Sequence, residues 1–139
     1  MDNATIMERI DEEAFNRGNV DVVDELVADG FVEHDPMPGT PPDRDGLKAM
    51  IRGLHEAFPD FHMDVEDRIV AGDKVVERWS CTGTQDGEFM GIQPTHRHIE
   101  VRGMDISRLE DGRLAEHWTQ VDMMSMLQQL GAMPARTPA

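Results

Sequence analysis

Apolar side chains recur at helical spacing between residues 2 and 16, with Ile6, Ile10 and Ala14 on one stripe and Met7 and Phe15 beside it. The spacing predicts a helix there, with Gly18 just past its end. Asn19 or Asp21 can cap a second, shorter helix carrying Val22, Val23, Leu26 and Val27, which stops at Gly30. Residues 31–35 read as a short extended segment, and Pro36, Pro38, Pro41 and Pro42 forbid regular structure in the long loop that follows. Asp43 or Asp45 then caps a third helix with Leu47, Ile51, Leu54 and Phe58 in one stripe, and Pro59 ends it.

After Pro59 the period changes from helical to extended. Residues 61–71 and 74–85 flank the turn Gly72-Asp73 and carry β-branched residues mixed with charges, which predicts two antiparallel strands. Residues 86–95 form a second long loop before a strand beginning near His96. Asp111-Gly112 is the strongest hairpin signal in the chain and joins the last two strands. Met123, Met124, Met126, Leu127 and Leu130 then suit a short terminal helix ending at Gly131, and residues 134–139 read as a frayed tail. Helices first and a strand meander afterwards predict one α+β domain over residues 1–139, a cone of curved antiparallel sheet wrapped around N-terminal helices. Such a cone encloses an apolar cavity suited to a small molecule.

The final hairpin carries most of the candidate chemistry. Counting outward from Asp111-Gly112, Leu109 opposes Leu114, Ser107 opposes Glu116, Asp105 opposes Trp118 and Gly103 opposes Gln120. Alternation then puts Asp105, Glu116, Trp118, Gln120 and Asp122 on one face and Met104, Ile106, Ala115, His117, Thr119 and Val121 on the other. A slip of one residue would separate Asp105 from Asp122.

Composition narrows the classes of function. Thirteen Lys and Arg against 28 Asp and Glu give a formal net charge of -15, which repels a phosphate backbone and argues against nucleic acid. The single Cys81 forms no internal disulfide, and no apolar run suits a membrane span, so a cytoplasmic protein is the expectation. Eleven Met and no Tyr supply adaptable apolar surface without a phenol donor.

Several stretches in order along the chain resemble the SnoaL-like polyketide cyclases of the nuclear transport factor 2-like superfamily: VEHDP (32–36), AFPDF (57–61), GDKVVERW (72–79), GEFMGIQPTHR (87–97) and RLEDGRLAEHWTQVD followed by QQLG. The resemblance implies an α+β cone, a dimer or larger homo-oligomer, and cofactor-free, metal-free intramolecular aldol closure of a polyketide methyl ester. It also implies that Asp122, near the end of the last strand, is the acid/base residue. Family sequences usually read PTGR where this chain has Pro94-Thr95-His96-Arg97, so His96 departs from the pattern.

Aldol closure requires an enol or carbanion and a proton for the oxygen that becomes an alkoxide, roles a buried carboxyl group can fill. Asp122 is the first candidate, although it also suits capping of the terminal helix. Asp105 either modulates Asp122 or pairs with a cation inside the sheet. Trp118 can stack on a flat substrate or simply fill the core, and Gln120 can orient a carbonyl. His34 sits at the mouth of the proline-rich loop, and His117 is held in reserve at a subunit contact. His96 and His98 have the H-x-H spacing of metal ligands, but no metal is expected. A ketosteroid isomerase is disfavoured by the missing Tyr, and an epoxide hydrolase also by Arg108 lying away from the aspartates. The alternative outside catalysis is a binding module or assembly domain using the same cavity or the outer sheet face.

Overall fold

The computed structural model describes residues 1–133. Asp2 caps the first helix, α1 (Asn3–Arg9), by accepting from Thr5 N, and the helix runs without a break into a π-helical stretch, Ile10–Asn16. The predicted stripe is the buried face: Ile6, Ile10 and Ala14 are at most 1% exposed. Next come α2 (Asp21–Leu26), β1 (Val27–Glu33), α3 (Arg44–Ala57), β2 (His62–Ala71), β3 (Lys74–Thr84), β4 (His98–Glu110), β5 (Arg113–Val121) and α4 (Met123–Gln129). Asp43 caps α3 through Gly46 N, as one of the two candidates. The final helix ends before Gly131, whose φ of 75° suits glycine. The expected tail at 134–139 lies outside the described residues.

The five strands form one curved, unclosed sheet in the order β1-β5-β4-β3-β2. The β2–β3 and β4–β5 hairpins form at the two predicted turns, with both Asp111 and Gly112 at positive φ, but a bulge shifts the β4–β5 register from the one counted from the turn. The second predicted helix, by contrast, ends early. Val27 to Gly30 belong to β1, which pairs in parallel with β5 (Val27↔Leu114, Glu33↔His117). The partner lies more than 80 residues away, so nothing in the local pattern announces it, and pairing with it overrides helical periodicity. One buried cluster joins the N-terminal helices to the sheet through Ile6, Ile10, Val23, Phe31, Ile51 and Val75. A second joins Phe58, Phe89, Ile99, Val101, Met126 and Leu130 at the other end of the sheet.

Candidate active site

The concave face of the sheet is mostly apolar, but one row of it is charged. Strand pairing sets Arg68 opposite Glu77, Glu77 opposite Asp105, Asp105 opposite Thr119 and, at the far edge, His117 opposite Glu33. This grouping differs from the one counted from the hairpin turn. Leu109 does oppose Leu114, but a bulge follows, so Arg108 opposes Glu116 and Asp105 opposes Thr119 instead of Trp118. Leu114 and Ala115, adjacent in sequence, are both buried, and the extra residue shifts every later side chain of β5 by one face. Asp105 therefore shares its face with His117, Thr119 and Val121. Trp118 and Gln120 lie on the other face with Met104 and Ile106.

His117 is the centre of the row. Its Nδ1 donates to Glu33 Oε1 at 2.6 Å and its Nε2 lies 3.1 Å from Asp105 Oδ2. Burial alone would push the imidazole toward neutrality. The hydrogen bonds to Asp105 and Glu33, with their charges, outweigh it and raise the pKa to about 10. His117 is thus an imidazolium at neutral pH, paired with a carboxylate at each nitrogen. Asp105 also accepts from Thr119 Oγ1 on its Oδ1. The His34 N–H donates to the His117 carbonyl, and Thr119 N donates to Asp35 Oδ2, which fastens the end of β1 to β5.

Asp105 and His117 face a cavity of about 450 Å³. Its walls come from both buried clusters, including Ile10, Phe31, Leu47, Phe89, Val101 and Met126, and Met37 and Pro38 of the proline-rich loop lie along it. The polar groups on this lining include Asp11, Glu33, Asp35, Asp105, His117 and Thr119. An apolar chamber with a few convergent polar groups is the usual form of a small-molecule site. Cys81 also lines it, but burial raises its thiol pKa to about 11, so it is a poor nucleophile.

The remaining expected site residues are dispersed. Asp122 is exposed, and its carboxylate caps α4 by accepting from Ser125 N at 3.1 Å. Its neighbours Val121 and Met123 line the cavity, whereas Asp122 does not. Trp118 stacks on His34 with ring centroids 4.6 Å apart, away from the cavity, and His34 lies 3.4 Å from Glu116. Gln120 is exposed and reaches the rim. His96 and His98 do not converge, since His96 pairs with Asp86 and His98 with Thr84.

The model of the SnoaL-like polyketide cyclases matches residues 5–130 of the chain. The protein belongs to the SnoaL-like polyketide cyclase family. TsrD from Streptomyces laurentii is 31% identical, with 96% of this chain and 99% of that one covered at a TM-score of 0.86. IdmH from Streptomyces antibioticus, a candidate polyketide cyclase, is 38% identical over 92% of this chain and 97% of its own, with a TM-score of 0.79. A candidate polyketide cyclase from Bacillus cereus is 28% identical, covering 92% and 79%, with a TM-score of 0.81. No curated protein sequence matches the chain significantly.

Within this SnoaL-like chain, sequence reasoning passed over Glu33, Asp11, Arg68 and Glu77. A signal for Glu77 was present. Val75, Glu77 and Trp79 alternate on the buried face of β3, and a charge in such a row marks a polar group held inside. Glu33 gave no such signal, because its partner is set by the parallel pairing of β1 with β5.

Proposed function

We propose that the protein is a cofactor-free ester cyclase-type enzyme, performing intramolecular aldol closure or related enol chemistry on a hydrophobic polyketide-like molecule. Asp105 is the acid/base residue in this reading. One observation carries it: Asp105 faces an apolar cavity while His117 and Thr119 hold its carboxylate. The His117 imidazolium and the Thr119 hydroxyl fix the Asp105 carboxylate toward the cavity, where it acts as the base. It takes a proton from the activated carbon, and the resulting enolate attacks a carbonyl carbon within the same molecule. The electron pair of that carbonyl moves to its oxygen, which then requires a proton. Gln120 at the rim orients a substrate carbonyl through its amide. The role that the resemblance gives to Asp122 passes to Asp105, since the Asp122 carboxylate caps a helix outside the cavity.

The test is turnover of an aromatic polyketide methyl ester. Asp105→Asn should lower kcat by roughly 10²–10⁴-fold with the fold intact. Asp122→Asn, which keeps a capping side chain, should retain activity. The opposite pattern would return the chemistry to Asp122. Wild-type protein that binds such esters but turns none over would instead be a binding module. The protein also self-associates in this reading, through the outer sheet face that carries Met104 and Ile106.

A further inference from the structure

A second carboxyl group lines the same cavity. Asp11 sits in the π-helical stretch and is only 7% exposed. Arg68 reaches it through Nη2 at 3.2 Å and donates through Nε to Glu77 Oε2 at 2.7 Å. Glu77 is 2% exposed. Two buried carboxyl groups thus share one guanidinium, and a single proton held between them leaves the trio neutral, whereas full ionisation would leave one buried negative charge uncompensated. Burial, and after it the hydrogen bond and charge of Glu77, raise the Asp11 pKa well above the usual aspartate value, against the opposing pull of Arg68. On the same face of β3, the Trp79 indole N–H is buried without a hydrogen-bond partner among the described residues, a further unspent donor on a residue of the cavity wall. Gly103 keeps that ring in place, because a Cβ there would come within 2.2 Å of it.

We propose that Asp11, Glu77 and Arg68 form a second acid–base station of the cavity, in which Asp11 delivers a proton to the substrate oxygen that becomes an alkoxide. The proposal rests on the cyclase reading and divides its labour. Asp105 takes the C–H proton, the new C–C bond forms, and the former carbonyl oxygen receives the proton of the Asp11–Glu77 pair. Asp105 is then protonated and the pair ionised. Glu77 and Asp105 are directly opposed across the β3–β4 ladder, so the proton passes from Asp105 back to the pair and the site is reset with no net consumption.

Infrared difference spectroscopy of the unliganded protein tests the stored proton independently of any turnover. The wild type should show a buried, protonated carboxyl band at neutral pH that disappears in Asp11→Asn. It should also disappear in Glu77→Gln, where Arg68 faces one remaining carboxylate and ionises it. Turnover of the methyl ester by Asp11→Asn should fall roughly 10²-fold or more, with ester binding retained. A wild-type protein lacking the band, a band that persists in both variants, or unimpaired turnover by Asp11→Asn would overturn the proposal. If the wild type turns over no ester, the cyclase reading fails, while the band still reports on the Asp11–Glu77 proton.

Discussion

At the scale of single residues, the decisive group is His117, because its charge state ties stability to the chemistry. An unfolded chain titrates histidine near pH 6.5, whereas the folded protein holds the His117 proton up to about pH 10. The folded state therefore binds one more proton than the unfolded state between those values. The stabilisation is complete below the lower value and is lost as pH rises through the upper one. Stability from this group should fall by about 1.4 kcal/mol per pH unit across that window. Urea denaturation at a series of pH values would measure it, and His117→Gln should flatten the slope. An equally steep slope in the variant would place the titrating group elsewhere.

At the scale of elements, two local backbone features decide what faces the cavity. The bulge in β5 brings His117 and Thr119 to Asp105, and a regular hairpin would have brought Trp118 there instead. The loop between β3 and β4 is held by Gln85, which is fully buried, donates to the Ile92 carbonyl and accepts from Thr95 Oγ1. That path turns at His96, whose φ of 58° lies in the left-handed region. The resemblance implies glycine at this position, which a left-handed angle favours. His96→Gly and His96→Ala both lose the exposed contact to Asp86, so comparing them isolates the backbone effect. The Gly variant should be the more stable by about 1 kcal/mol in thermal or denaturant unfolding. Equal stability of the two would mean the loop relaxes out of this conformation.

At the scale of the whole molecule, the sheet has one face committed to the cavity and one left open. Met104 is 54% exposed and Ile106 41%, and Ile69 of β2, in line with Ile106 through Val76, is exposed on the same face. Apolar side chains grouped on a sheet face are suited to association. Sedimentation should find a dimer or larger homo-oligomer, and Met104→Asp should shift it toward monomer. A monomeric wild type would remove that expectation. Among the described residues no helix is long and apolar enough to cross a membrane. The charge of -15 remains an argument against a phosphate backbone as partner.

The chain by itself determined the elements whose signals are local. Helix stripes, the Asp43 cap, the paired turns and the α+β order were all legible, because side-chain period and turn chemistry act within a few residues. The resemblance motifs likewise fixed the family. Only tertiary structure decided the site. β1 became a strand because a distant parallel partner claimed it, and that pairing set Glu33 against His117. One bulge exchanged the two faces of β5, since a period of two turns a single added residue into a complete inversion. Asp105 was named from sequence on an assumed face with Trp118, yet its partners are His117 and Thr119. Asp11 and Glu77, 66 positions apart in sequence, met only through folding, where Arg68 joined them.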